Sequence, residues 1–353
     1  MFGFSVFLGS SISDETEKYI AKMSESGFKG IFTSMHIPED DSSKYLDRIT
    51  QLGYLAKKYH LHLMVDISTK GLNSLGFDLI NDIEKIKALG ITGLRMDYGI
   101  SMETIAKVSH HLTVGLNAST LSHNDVAELK EYHAAFSNME FWHNYYPRVE
   151  TGLEKEAFIQ KNAWLKELGG KIIAFTPGDD VLRGPLFDKL PTLEVHRYSH
   201  PLAASIDLLD DCFVDEVYIG DEKLLLETIN QFEMYQKNDL ILLHSFFYYQ
   251  DFKELLVGIH TNRMDSARDV VRSQEARFKE IPPIKQINTI TRSIGSITLD
   301  NDLYGRYAGE LQIVKRNLPA DSRVNVLGKV IDKDLDLIKW IKAGQKYQFI
   351  RKD

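Results

Sequence analysis

Short apolar runs rich in β-branched and aromatic residues alternate with amphipathic stretches from the N-terminus to about residue 220, and this alternation constrains the fold most. FGFSVFLG precedes DETEKYIAKMSESG, GIFTSMHI precedes SKYLDRITQLGYLAKKYH, and LHLMVDIS opens the next repeat. Nearly continuous apolar strands between helices of period 3.6 must be buried on both faces, as in a parallel sheet. The rhythm continues through GLRMDYGI (93–100), TVGLNAST (113–120), MEFWHNYY (139–146), KIIAFTPG (171–178) and DEVYIGD (215–221). Eight strands and a closing helix near 222–235 predict an α/β fold of the (β/α)8 TIM-barrel type rather than an open doubly wound sheet. No GxGxxG follows the first strand, which argues against a dinucleotide site. PTLEVHR (191–197) also reads as a strand, carried on a long excursion, GDDVLRGPLFDKLPTLEVHR, after the seventh.

Beyond residue 238 the period changes. KQINTITRS, GSITLDN, GELQIVKR, RVNVLGKV and QKYQFIRK read as strands, with one or two helices around 265–279 and 333–341. A small closed β-barrel is predicted there, giving domains at 1–238 and 239–353. Hydrophobic residues make up 43% of the chain and charged residues 26%, enough for a sizeable core and unlike a disordered chain. The net charge is −8, with 23 Lys and Arg against 35 Asp and Glu in 1–238 and 19 against 15 in 239–353. Such a balance disfavours nucleic acid as a partner, while the basic excess of the C-terminal part suits a small anion. The single cysteine, Cys212, excludes an internal disulfide, and with no CxxC or Cys/His spacing a structural zinc site is excluded too. The N-terminal run lacks the basic start and cleavage site of a signal peptide. No stretch approaches the roughly 20 apolar residues of a membrane span. A cytoplasmic protein away from the membrane is expected.

In a TIM barrel, chemistry collects at the carboxyl ends of the strands. Here those ends carry Asp66, Asp97 with Tyr98, Asn117 with Ser119, and His143, Asn144, Tyr145 and Tyr146. Any one acid could be a capped or paired loop residue, Asp97 pairing with Arg95 for example, but polar groups at successive strand ends do not serve a core. HNYYPRVETG (143–152), with Arg148, mixes aromatic faces, an amide and phenols in the way a sugar site does. TPGDDVLRGPL (176–186) places Arg183 where this architecture often binds phosphate, and guanidinium matches phosphate or carboxylate bidentately. In PTLEVHR, read as a strand, Glu194 and His196 share one face and Arg197 the other, making Glu194 a third candidate acid. HLH (60–62) and HH (110–111) lack metal-ligand spacing, so a site without metal or cofactor is expected. GxSxG is absent.

LRMDYG, VGLNAST, HNYYPRVETGL, RGPL, PTLEVHR and DEVYIGD, continued by VGIHTNR, RSQEARF, LDNDLYGRYAGELQI and LPADSRVNVLG, span essentially the whole chain. In these motifs the sequence resembles the MupG-like 6-phospho-N-acetylmuramidase family, bacterial proteins formerly labelled as outer surface proteins. The resemblance implies a TIM barrel followed by a cyclophilin-like β-barrel, and an exo-acting cytosolic glycosidase of peptidoglycan recycling. Its substrate would be 6-phospho-N-acetylmuramyl-β-1,4-N-acetylglucosamine, split into 6-phospho-N-acetylmuramic acid and N-acetylglucosamine. Tyr145 departs from the family pattern, where phenylalanine is commoner.

A glycosidase needs an acid at the leaving oxygen and, opposite the anomeric carbon, a carboxylate or a polarised acetamido oxygen. Asp97 and Glu194 are taken as the working pair, with Asp66 as the alternate or as the group that orients the acetamide. Arg148, Arg183 and Arg197 would receive the phosphate and lactyl carboxylate. Asn117, His143, Asn144, Tyr145 and His196 would fix hydroxyls and ring orientation. In LDNDLYGRYAGEL (299–311), Arg306 and Tyr307 are expected to reach the terminal sugar. A non-catalytic phosphosugar-binding regulator would gain nothing from several acids. The barrel and phosphate loop equally allow an aldolase or isomerase acting on a sugar phosphate, but a Schiff-base aldolase needs a strand lysine, and only Lys70 comes near a strand end.

Overall fold

The computed structural model describes residues 1–35, 44–67, 77–96, 99–249, 251–279 and 283–352. Lys70, Asp97 and Tyr98 lie outside the described residues. The chain divides into two compact units, Met1–Ile229 and Asn230–Asp353.

In the first unit, strands β1 (Phe2–Ser5), β2 (Gly30–Ser34), β3 (His62–Ile67), β4 (Gly93–Met96), β5 (Thr113–Asn117), β6 (Met139–Trp142), β7 (Lys171–Thr176) and β8 (Glu216–Ile219) form a closed barrel in chain order. Neighbours are parallel throughout, and β1 completes the ring on β8. Helices α1 (Asp14–Glu25), α2 (Tyr45–Lys58), α3 (Ile83–Ala88), α4 (Met102–Ser109), α5 (His123–Glu131), α6 (Lys155–Glu167) and α7 (Pro201–Asp211) occupy the connections, and α8 (Leu226–Asn238) follows β8. Local chemistry sets their starts. The Ser13 hydroxyl accepts from the Thr16 amide in a capping box, and Asp14, Glu15 and Glu17 meet the positive end of the α1 dipole.

Because side chains alternate along a strand, each strand sends every second residue inward. Phe32, Met64, Trp142, Ile173, Phe175 and Tyr218 meet there in one buried cluster. Two residues further along β2 and β3, and on the inward series of β4, stand Ser34, Asp66 and Arg95, so the lining turns polar toward the carboxyl ends of the strands. Glycines leave room for the large rings: a Cβ at Gly3 would collide with the Tyr218 ring, and one at Gly30 with its hydroxyl.

PTLEVHR is not a strand. Glu194–His196 form a 3₁₀ turn, because Arg197 folds back to ion-pair with Glu194 three residues earlier, a contact that extended backbone does not allow.

The second unit is mostly β. Strands β9 (Leu240–Phe247), β10 (Ile259–Thr261), β11 (Val270–Arg272), β12 (Ser296–Asp300), β13 (Leu311–Val314), β14 (Val324–Val330) and β15 (Lys346–Arg351) form a seven-stranded sheet in the order β10-β15-β9-β14-β12-β13-β11. A bridge between Asn262 and Ser273 nearly closes it into a barrel. The expected strand KQINTITRS is absent as such: Arg292 makes a single bridge to Leu318, and amide side chains replace the ladder. Asn325 accepts from the Ile287 amide at 3.0 Å and donates to the Lys285 carbonyl at 2.8 Å. The helices expected around 265–279 and 333–341 are 3₁₀ turns, Glu275–Phe278 and Asp332–Trp340.

Candidate active site

At the carboxyl end of the barrel, strand register does most of the positioning. Ser34 is opposite Asp66, and Asp66 opposite Arg95. Asp66 Oδ1 accepts from Arg95 Nη1 at 2.7 Å, and its Oδ2 accepts from the Ser34 hydroxyl at 3.3 Å. Arg95 Nη2 donates to Asn144 Oδ1, just past β6. Arg95 therefore pairs with Asp66 rather than serving only as the neighbour of Asp97. Asp66, Arg95 and Asn144 line a cavity of about 190 Å³ together with Phe32, His143, Tyr145, Tyr146 and Phe175. Tyr145 stands edge-on to Phe32 and Phe175 at ring separations of 6.3 and 5.2 Å. Burial pushes its phenol above the ordinary range, so it meets a ligand as a hydroxyl donor.

Beside it lies a second cavity of about 340 Å³, lined by Phe7, Gly9, Ser10, Arg183, Gly184, Pro185 and Glu222. The Arg183 guanidinium rests 3.7 Å from the Phe7 ring centroid, and its Nη1 lies 3.5 Å from the Tyr145 hydroxyl, so this one side chain touches both cavities. Buried Asp221 shapes the loop that carries it, accepting from the amides of Gly178, Arg183 and Leu190 at 2.8, 3.1 and 3.1 Å.

Several sequence candidates take other places. Glu194 is off the barrel rim, its carboxylate filled by Arg197 Nε and Nη2, both at 2.7 Å, and by the amides of Glu150 and Gly152 at 2.9 and 2.8 Å. The Arg197 bonds hold its carboxyl down at about 2. Such a group staples two loops and has no proton to give near neutrality, which corrects its expected role as acid. Arg197 is 1% exposed, and its remaining donors go to the carbonyls of Tyr146, Arg148, Asp188 and Lys189 rather than to a ligand. His196 is buried against Asp207 at 2.7 Å, and Lys155 holds the same carboxylate. His143 keeps its place on the wall of the smaller cavity, where it acts as a structural pin. Its Nε2 donates to Asn162 Oδ1 at 2.7 Å, its Nδ1 faces the Ser119 hydroxyl at 3.4 Å, and burial pushes it down to about 4, so it is neutral. It nonetheless fixes the strand end from which Asn144 and Tyr145 project. Asn117 Oδ1 accepts from the Ser119 amide at 3.1 Å, closing a turn at the rim. Arg148 is exposed, its carbonyl rather than its guanidinium being engaged. In the second unit, Arg306 Nη2 donates to the Tyr307 hydroxyl at 2.7 Å.

The sequence reading missed Arg95 as a site residue, although an arginine at an inward position of an apolar strand was a usable signal. It also missed Phe7, inside the first apolar run, and Glu222, just beyond DEVYIGD. Among the described residues no group of three or more His, Cys, Asp or Glu side chains is placed to hold a metal ion, and no helix is long and apolar enough to cross a membrane.

Comparison with known proteins gives this geometry its context. A crystal structure of a conserved Enterococcus faecalis protein of unknown function is 45% identical, with a TM-score of 0.92 over 100% of this chain and 96% of that one. An uncharacterised B. cereus protein shares the fold, with 24% identity and a TM-score of 0.74 over 99% of each chain. No functionally curated protein matches the sequence. Residues 2–234 match the family model described as 6-phospho-N-acetylmuramidase, N-terminal, and residues 243–350 match its C-terminal counterpart. With both models matched in order along one barrel and one β unit, the chain belongs to the 6-phospho-N-acetylmuramidase family, a family of glycoside hydrolases.

Proposed function

We propose that this protein is a cytoplasmic, exo-acting glycosidase of cell-wall sugar recycling that hydrolyses 6-phospho-N-acetylmuramyl-β-1,4-N-acetylglucosamine to 6-phospho-N-acetylmuramic acid and N-acetylglucosamine. The barrel, taken as 1–238, carries the chemistry, and the β unit, taken as 239–353, is a cyclophilin-like barrel. The observation that supports this reading is the rim cavity in which Asp66, Arg95, Asn144 and Tyr145 converge beside Phe32 and Phe175. Apolar rings flank a pyranose, while amide, phenol and guanidinium bond its hydroxyls, acetamide and acidic substituents.

Asp66 accepts from two partners, which fixes its oxygens and suits an acceptor, either for the acetamide N–H or for charge developing at the anomeric carbon. Asp97, two residues past Arg95 in sequence, remains the proposed partner carboxylate. Arg183, in contact with Tyr145, is the cation proposed for the substrate's acidic groups. No cofactor takes part.

The test is incubation with a chromogenic β-linked N-acetylmuramate, with and without its 6-phosphate. Release from the phosphorylated compound, at least tenfold faster than from the other, is expected. Tight binding of the phosphorylated compound without release would instead make the protein a phosphosugar regulator.

A further inference from the structure

We propose that Glu222 is the acid that protonates the glycosidic oxygen, and that the cavity it shares with Arg183 receives the leaving N-acetylglucosamine. The proposal rests on the hydrolase reading and adds the group that reading lacks. Glu222 follows β8 by three residues, so it stands at the carboxyl rim, where this architecture keeps its reacting groups. It lines the larger cavity, whose other walls are the Ser10 hydroxyl, glycine backbone, the Phe7 ring and Arg183. Its hydroxyl and apolar edge suit a neutral polyhydroxylated ring, while the Arg183 guanidinium, at the boundary with Tyr145, stays with the acidic groups of the other sugar. The contact of Arg183 with Tyr145 sets this cavity against the one holding Asp66, the arrangement required of two sugars joined by one bond.

Four other carboxylates near the rim are committed. Asp66 binds Arg95 and Ser34, Asp221 holds three backbone amides, and Asp179 accepts from the Leu225 amide and the Thr228 hydroxyl at 2.9 and 2.6 Å. Glu194 has four donors. A carboxylate saturated with donors is poor at delivering a proton. The Glu222 carboxyl makes no hydrogen bond or ion pair to another side chain among the described residues. Partial desolvation raises it above the ordinary glutamate range, against the pull of Arg183 and Lys223 and with the help of Asp221. The side chain still reaches solvent, so the effect is modest and supports the geometry without replacing it.

In the reaction, the Glu222 proton passes to the glycosidic oxygen as its bond to the anomeric carbon breaks and the bonding pair stays on oxygen. N-acetylglucosamine then departs as a neutral alcohol. Water supplies the hydroxyl gained by the anomeric carbon, and its other proton restores the Glu222 acid.

Leaving-group dependence tests this. Glu222→Gln should lose about a hundredfold or more in kcat/KM on the phosphorylated disaccharide. On the 2,4-dinitrophenyl β-glycoside of 6-phospho-N-acetylmuramic acid, whose phenolate departs without a proton, it should stay within about tenfold of wild type, either outright or after azide is added as a nucleophile that needs no base. Its melting midpoint should match wild type, which separates a chemical loss from a structural one. Equal losses on both substrates without azide rescue, or no loss on either, would overturn the assignment while leaving the hydrolase reading in place. A wild-type protein inactive on both substrates would overturn both.

Discussion

Arg197 is nearly fully buried, and Glu194 is the carboxylate that neutralises it, with four loop carbonyls on Arg197 and two backbone amides on Glu194 closing the same knot. Removing one partner of such a pair strands the other, at a cost of about 2–4 kcal/mol for a partner that is itself partly solvated. Glu194→Gln is therefore expected to lower stability by that order at pH 7. The sign with pH follows from the depressed carboxyl. Its contribution is complete above the ordinary glutamate value of 4.5 and fades as pH falls toward about 2. Urea unfolding of wild type and variant at pH 7 and pH 3 measures this, and the gap should narrow at pH 3. An equally stable variant with turnover reduced a hundredfold would return Glu194 to the catalytic pair.

Strands β1 and β2 carry Gly3 and Gly30 near their starts because Tyr218 of β8 fills the barrel beneath them. A methyl group at Gly30 would meet the Tyr218 hydroxyl first, so Gly30→Ala should cost about 1–3 kcal/mol by overpacking. Tyr218→Phe removes that hydroxyl and should recover part of the loss in a double-mutant cycle; strictly additive effects would show that the clash relaxes elsewhere. This register, like most of the barrel, was legible in sequence, since long apolar runs and helical periods respond to the same two-sided burial. PTLEVHR misled because an apolar and polar alternation over a few residues fits a strand as well as a turn. Only the pairing of Arg197 with Glu194 distinguishes them. KQINTITRS misled for the opposite reason, its backbone being satisfied by Asn325 instead of a neighbouring strand. That Asp66, Asn144 and Tyr145 line the rim cavity was legible because polar residues ending apolar strands announce themselves. Which donors Asp66, Glu194 and Glu222 meet was not legible, because that is decided only after folding.

Each unit buries titratable groups whose charge opposes folding, and two of them, His143 and Asp300, act in opposite pH directions. In the barrel unit, His143 is held neutral down to about 4, whereas its unfolded value is near 6.5. The unfolded chain binds that proton first, so the barrel keeps its full stability above 6.5 and loses up to about 3 kcal/mol as pH falls toward 4. In the β unit, burial and the neighbouring Glu310 push Asp300 up to about 7 from 3.8, with Arg292 and Arg323 opposing. Its folded form is protonated over a range where the unfolded chain is ionised. Stability is then complete below 3.8 and falls, by up to about 4 kcal/mol, as pH rises through 7. Calorimetry of the full chain at pH 4.5 and pH 8 should therefore show two transitions that move in opposite directions. Asp300→Asn, which keeps the shape and removes the charge, is expected to raise the β-unit transition by several degrees at pH 8 and to leave it nearly unchanged at pH 4.5. His143→Gln should carry a deficit in the barrel transition at pH 8 that shrinks at pH 4.5. A β-unit transition in Asp300→Asn that stays at the wild-type temperature at pH 8 would mean that the buried carboxyl is already neutralised by its arginines.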